Sequence, residues 1–398
     1  MLILASKSPR RRELITALGR PFTVTSTETD ETLPPLPPTE AVRVLACRKA
    51  EAGATQATEE DYVVGADTLV FYKGDALGKP TDDEDAVRML SLLSGKTHQV
   101  ITGVAVTHKG ITESAAAVTN VTFRVLTEKE IRRYVKTGEP RDKAGAYGIQ
   151  GKGGRLVDHY DGALDNVIGL PVSLLASLLE TQELRDKMHR AVSLLKERYP
   201  SAVCALDYGG DPWRLLVMGR LSAQCTDARV NEVCKYLFAK YPTAAAMAEA
   251  DLAELCEAVR PCGLHRTKGK DLKEASRLLV EKHGGVLPDT MDGLLAFPGV
   301  GRKIANLLLG DVYGKPAVVT DTHFIRICGR LGAYPESEKN PLKIERRMTP
   351  LLPPKESSDF CHRIVWFGRE VCTARAPACD RCSLAEICEH SKKTITNS

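Results

Sequence analysis

The chain has 398 residues, 43% of them hydrophobic, with 55 Lys+Arg against 51 Asp+Glu and a net charge of +4. That length exceeds one ordinary core and predicts two or three domains, while apolar runs such as residues 168–179 are broken by Gly169, Pro171 and Ser173, well short of the ~20 residues of a membrane span. No membrane segment is expected, and the opening MLILASKSPRRR places its basic cluster after the apolar run, the reverse of a secretory signal, so a cytoplasmic location is expected.

In chain order, the first stretch alternates strand and helix signals. Residues 2–5, 63–72, 100–108 and 118–126 are apolar runs rich in β-formers, and helical patterns lie at 10–18, 40–53, 83–93 and 128–137. Pro34, Pro35, Pro37 and Pro38 mark an extended loop before the second helix. From about residue 171 the pattern turns helical with almost no strands. Residues 173–198 keep apolar residues at three- and four-residue spacing without Gly or Pro, which predicts a boundary near residue 185 within or between helices rather than in a floppy linker. Further helices are predicted at 213–224, 227–241, 244–258, 268–282, 289–296, 302–312, 321–329, 341–352 and 357–371. The fold class is multidomain: an α/β segment followed by an all-α segment.

Charge and cysteine are unevenly shared. Residues 1–190 hold 25 of the 55 basic and 26 of the 51 acidic residues, leaving 30 against 25 for the remainder. The excess has the sign that nucleic acid would attract, in the second half only. Of 12 cysteines, only Cys47 precedes Cys204, a bias that favours metal over disulfides in a cytoplasmic chain.

In the first half, LASKSPRRRE at 4–13 sets Ser8 and Arg11 between a strand and a helix start, a cradle suited to phosphate. Asp67 in VGADT is expected at the end of a strand, where α/β proteins commonly carry their active residues. Asp30 and Glu31 add carboxylates, and Lys49 and Lys79 add positive charge. Carboxylates for a hard cation together with Lys and Arg for phosphates are what metal-assisted nucleotide hydrolysis requires.

These motifs, with Arg48-Lys49-Ala50, GKP at 78–80, DKAGAYGIQG at 142–151 and NVIGLP at 166–171, resemble the Maf family of nucleoside triphosphate pyrophosphatases over about residues 1–183. The resemblance implies a Maf/ITPase-like mixed-sheet α/β domain at 1–185. It also implies hydrolysis of a nucleoside triphosphate to monophosphate and pyrophosphate with a divalent cation, Mg²⁺ or Mn²⁺. By motif, Ser8, Arg11, Lys49 and Lys79 would hold phosphates, and Glu31 and Asp67 the cation, with Asp67 the general base. Thr68 and Gln150 belong to the variant associated with dTTP and UTP. A homodimer through this domain is left open, and the rival reading is a nucleotide-binding regulator.

In the second half, Cys372, Cys379, Cys382 and Cys388 form a C-x6-C-x2-C-x5-C array. Four thiolates fit a 4Fe–4S cluster or tetrahedral zinc, and the spacing does not choose. Upstream, LLAFPGVGRKIAN reads as a helix, a turn through Pro298-Gly299-Val300-Gly301 whose glycines permit positive φ, and a second helix from about Arg302. Amides exposed at that helix start can hold a DNA phosphate. Lys303 lies on its first turn, where the helix dipole disfavours the ammonium form and favours a nucleophilic amine. Asp321 in VTDTH is expected at an N-cap, where its carboxylate could also assist proton transfer.

These features, with LSAQCTD at 221–227, resemble the endonuclease III family of DNA glycosylases over about residues 186–392. The resemblance implies a helix-hairpin-helix domain at 186–398, its hairpin at about 289–312 and an iron-sulfur loop at 372–388. Lys303 and Asp321 would be catalytic, and the four cysteines would ligate a 4Fe–4S cluster. Gln224 would enter the space left by the flipped base, and Gly299, Gly301 and His323 would contact DNA. Adenine-specific relatives lack this lysine, so the implied activity is that of a glycosylase and AP lyase acting on damaged pyrimidines in double-stranded DNA. Two departures, Ile304 for a frequent threonine and Cys225 for a frequent alanine, bear on substrate preference. The rival reading is a zinc-stabilised DNA-binding module without catalysis.

Overall fold

The computed structural model describes residues 1–26 and 28–396. The chain divides into two compact units, Met1–Glu183 and Leu184–Ser398. None of the described helices is long and apolar enough to cross a membrane.

The first unit is built on a seven-stranded mixed sheet. Its strands are β1 (Leu2–Ala5), β2 (Phe22–Thr25), β3 (Tyr62–Tyr72), β4 (Asp75–Leu77), β5 (Thr97–His108), β6 (Ile111–Phe123) and β7 (Val157–Asp161). The order is β2-β1-β3-β5-β6-β7 with β4 on β3; β1 runs parallel to β2 and β3, and the other pairs are antiparallel. Helices α1 (Pro9–Ile15), α2 (Pro38–Ala54), α3 (Asp83–Leu93), α4 (Glu128–Val135) and α5 (Leu164–Ile168) flank it.

Asp67 does not end its strand, as the sequence predicts, but sits in the middle of β3, opposite Gly103 of β5. The reason lies in the neighbouring ladders. Pairing with β1 stops at Val64, and pairing with β4 begins only at Val70, so β3 has no strand on that edge around Asp67. Alternation puts Gly65 and Asp67 on one face. A Cβ at Gly65 would lie 2.3 Å from the Ala46 carbonyl, and one at Gly103 2.2 Å from that of Val42. The missing side chains therefore let α2 rest on the strand backbone, which brings Lys49 of α2 against Asp67.

Helix α6 (Val172–Arg198) carries the boundary between the units. The second unit contains α7 (Pro212–Leu221), α8 (Asp227–Lys240), α9 (Ala244–Ala248), α10 (Leu252–Ala258), α11 (His265–His283), α12 (Met291–Leu295), α13 (Arg302–Asp311), α14 (Thr322–Arg330), α15 (Pro341–Met348), α16 (Ser357–Glu370) and α17 (Glu389–Thr396). Its core includes Leu215, Leu294, Leu308, Phe324, Phe360 and Phe367, and truncating one such phenylalanine to alanine typically costs about 3–5 kcal/mol.

Several predicted elements shift. Residues 244–258 form two helices rather than one, because Asp251 leaves the helix and caps α10, accepting from the Glu254 amide at 2.9 Å. The helix predicted to Gln224 stops at Leu221, and Gln224 adopts φ 57°. The strand predicted at 118–126 is Ile111–Phe123. Strands β2 and β7 were not predicted, since both are largely solvent-facing and carry little apolar pattern. Gly299 has φ 76°, whereas Gly301 is an extended N-cap at φ −99°; an extended backbone there lets the first amides of α13 point outward without a left-handed turn.

Candidate functional site

In the first unit, Ser8, Arg11, Glu31, Lys49, Asp67, Thr68, Lys79 and Gln150 all line one cleft of about 1490 Å³. Ser8 is the N-cap of α1, its hydroxyl accepting from the Arg11 amide. The Arg11 guanidinium is fixed by three partners: Nε donates to the Gly169 carbonyl at 2.8 Å, Nη2 to Thr68 Oγ1 at 3.2 Å and Nη1 to Ser6 Oγ at 3.4 Å. Burial draws its pKa below the ordinary value, and the charge of Asp67 opposes that shift. Thr68 is steadied by Thr102 at 2.9 Å, and the NVIGLP motif supplies both the Gly169 carbonyl and the buried Asn166.

Lys49 bridges the two carboxylates, 3.0 Å from Glu31 Oε1 and in close contact with Asp67 Oδ1. This ammonium holds the Glu31 carboxyl below the usual carboxylate range. Glu31 and Asp67 converge on one cation, the Lys49 ammonium, and paired carboxylate oxygens are the donor type a hard divalent metal takes in exchange for such an ammonium. Lys79 and Gln150 are exposed. Glu139 escaped sequence reading: it accepts from Tyr134 Oη at 3.0 Å and from the amides of Lys152 and Gly153 at 2.9 and 3.1 Å, fastening the loop that carries Gln150. Lys143, the second residue of the DKAGAYGIQG motif, also lines the cleft.

In the second unit, Thr290 caps α12, and the chain reverses through Gly299 into α13. A Cβ at Gly299 would fall 2.5 Å from Arg220 Nε and 2.8 Å from Asp271 Oδ2, so that ion pair, 2.7 Å at Nη2, braces the turn from beneath. Lys303 is exposed on the first turn of α13 and, among the described residues, pairs with no carboxylate. Its neighbour Arg302 is neutralised by Glu345 at 2.9 Å.

Asp321 caps α14 with Oδ1, accepting from the Phe324 amide at 2.7 Å. His323 Nδ1 accepts from Arg326 Nη2 at 3.1 Å. Burial lowers the His323 pKa, and the charges facing it are Asp321 and Asp227 against Arg326 and Arg369. The end of the LSAQCTD segment therefore lies beside the α14 start.

The Gln224 segment rests on Lys268, which sequence reading missed. Lys268 is fully buried, and its ammonium donates to the carbonyls of Leu221, Ala223 and Cys262 at 2.8, 2.7 and 2.8 Å. Three dipoles replace the water an ammonium loses on burial. In sequence it is one lysine among several in HRTKGKDLK, and only tertiary packing distinguishes it. Lys268→Met would leave three buried carbonyls without a donor, at a cost on the order of 3 kcal/mol. Urea unfolding should show the loss as a lower midpoint; an unchanged midpoint would mean that the ammonium does not hold this loop.

Cys372, Cys379, Cys382 and Cys388 line one pocket with Ile327, Leu331, Phe367 and Val371. Arg330 Nη1 donates to Cys372 Sγ at 3.2 Å and the Leu384 amide to Cys382 Sγ at 3.4 Å, while Arg326 ties the Cys372 carbonyl to α14 at 3.0 Å. Four thiols, an apolar wall and N–H donors aimed at sulfur are a donor set that fits an iron-sulfur cluster.

Comparison with known proteins divides the chain at the same place. Residues 1–182 match the family described as Maf-like protein, residues 217–354 the HhH-GPD superfamily of base excision DNA repair proteins, and residues 372–388 the iron-sulfur binding domain of endonuclease III. A dTTP/UTP pyrophosphatase of Desulfitobacterium hafniense is 50% identical over 186 residues, covering 45% of this chain and 84% of that protein. An endonuclease III of Synechocystis is 42% identical over 218 residues, covering 54% of this chain and 97% of that protein. Among solved structures, a non-covalent endonuclease III–DNA complex superimposes with TM-score 0.50 at 35% identity, over 53% of this chain and 98% of that one. The chain is therefore a fusion that belongs to two families, its first half to the Maf-like proteins and its second to the endonuclease III branch of the helix-hairpin-helix DNA repair proteins.

Proposed function

We propose that the chain is a bifunctional enzyme: a glycosylase and AP lyase that removes damaged pyrimidines from double-stranded DNA, joined to a pyrophosphatase for dTTP and UTP. The observation that carries the first activity is Lys303, exposed on the first turn of α13 directly after the Gly299 turn. In this reading the outward amides of α13 and the turn backbone at Gly299 and Gly301 grip a DNA phosphate. Lys303 Nζ attacks C1′ of a flipped nucleotide and the base leaves; the resulting Schiff base permits β-elimination, which cuts the strand 3′ to the lesion. Asp321 has Oδ1 engaged at the cap, leaving its second oxygen to take a proton from the lysine. Gln224 fills the vacated stack, and His323 contacts DNA beside it. Cys372, Cys379, Cys382 and Cys388 would hold a 4Fe–4S cluster, which when bound orders the loop they belong to.

Lys49 bridging Glu31 and Asp67 supports the second activity. Glu31 and Asp67 would hold Mg²⁺ or Mn²⁺, which supplies charge neutralisation to the phosphates. Ser8, Arg11, Lys49 and Lys79 orient the triphosphate, Asp67 takes the proton of the attacking water, and Thr68 and Gln150 select a pyrimidine. The same reading includes a cytoplasmic location, leaves a homodimer through residues 1–185 open, and assigns residues 186–398 to the repair domain. Incubating the purified chain with dTTP or UTP and Mg²⁺, and separately with duplex containing an oxidised pyrimidine, tests both halves: pyrophosphate release and a 3′ nick are expected. Absence of either product removes that half of the proposal.

A further inference from the structure

The segment before α7, the last residue of α13 and the second turn of α16 meet at a cluster that neither activity uses. Cys204 Sγ, a carboxylate oxygen of Asp311 and a ring nitrogen of His362 all lie within 4.8 Å of one another. Asp311 Oδ1 is well supplied, with His362 Nε2 at 2.8 Å and Ser358 Oγ donating at 3.1 Å. Oδ2 is not: it is buried and, among the described residues, has no hydrogen-bond partner, on a side chain only 8% exposed. A buried carboxylate oxygen without a donor is costly. Its position makes matters worse, because Asp311 ends α13, where the helix dipole is negative and repels a carboxylate.

The close approach of the helices is built in. A Cβ at Gly310 would fall 2.1 Å from Ser358 Oγ, so only glycine allows the end of α13 to sit against the start of α16. A positive ion would resolve both the orphaned oxygen and the adverse dipole. Thiolate, imidazole and carboxylate together are zinc donors, and a thiolate disfavours Mg²⁺ or Ca²⁺. Zinc bonds of about 2.0–2.3 Å put ligand atoms on the order of 3.5 Å apart, within reach of small side-chain adjustments here. Cys204 and His362 are partly exposed, which leaves an entry path.

We propose that Cys204, Asp311 and His362 bind a zinc-class divalent cation, separate from the four-cysteine loop, with a remaining coordination position open to water. Such an ion would staple the segment before α7 to the far ends of the helix that carries Lys303 on its first turn and of the helix that leads into Cys372.

The test is elemental analysis of the full-length chain, purified with its iron-sulfur site loaded and supplied with zinc. One zinc per chain is expected beside the iron. Cys204→Ser and Asp311→Asn, a near-isosteric pair outside both catalytic centres, should each weaken zinc affinity by at least about 100-fold in competition with a chromophoric chelator. Iron content and cluster absorbance should stay at the wild-type level, which also reports that the variants fold. Wild-type protein without zinc above trace overturns the proposal whatever the variants do. So does zinc that survives in both variants, since it would then belong to the four-cysteine loop.

Discussion

Lys303→Ala is expected to give no covalent adduct when borohydride is added to the protein on duplex DNA bearing an oxidised pyrimidine, whereas the unaltered chain is trapped. Losing the amine removes both the nucleophile and the Schiff base, and the loss in base excision should reach at least about 10²–10⁴-fold, the range for a single group engaged in the transition state. Exposure decides how the result is read. Lys303 is solvent-facing and pairs with no carboxylate among the described residues, and substitutions of that kind usually change stability within about ±0.5 kcal/mol. The unfolding midpoint and duplex affinity should therefore hold near wild type while trapping vanishes. A variant that is still trapped would transfer the nucleophile to another amine and sink the assignment of Lys303.

Asp67→Asn should suppress pyrophosphate release from dTTP by about 10²–10⁴-fold. Asn keeps the shape of the side chain but accepts no proton and cannot neutralise Lys49, which would then lean on Glu31 alone. The strand itself should survive, because the backbone of Asp67 pairs with Gly103 and that of its neighbours with β5. Glu31→Gln should cost less, since Glu31 is solvent-facing where Asp67 is enclosed. A steady-state comparison checks both, and an Asp67→Asn protein retaining a large part of the wild-type turnover would rule out a general-base role.

The two contrasting halves were legible because their chemistry sits in contiguous motifs. ASKSPRR, GADT, FPGVGRK and the cysteine array each hold their functional groups within a few residues, so local pattern was enough. The missing parts depend on distant partners. Lys268 serves three carbonyls, two of them more than forty residues away, and Glu139 is tied to a loop beyond Gly148. Nothing in a lysine or glutamate marks that role. The edge strands β2 and β7 were missed because their pairing comes from the rest of the sheet, and the alanine-rich 244–258 stretch read as one helix because propensity outweighed the Asp251–Glu254 capping pattern. The middle position of Asp67 came from a change of ladder partner, which single-strand periodicity does not record.

The buried ammonium beneath the Gln224 segment separates two quantities that ionic strength would otherwise mix. Contacts between an exposed basic surface and phosphates weaken as salt rises, because counterions compete for the same charges. The three carbonyls around Lys268 lie where counterions do not enter, so the seat of the Gln224 segment is indifferent to them. Salt would loosen a hold on DNA phosphates in general while leaving untouched the backbone geometry that seats Gln224.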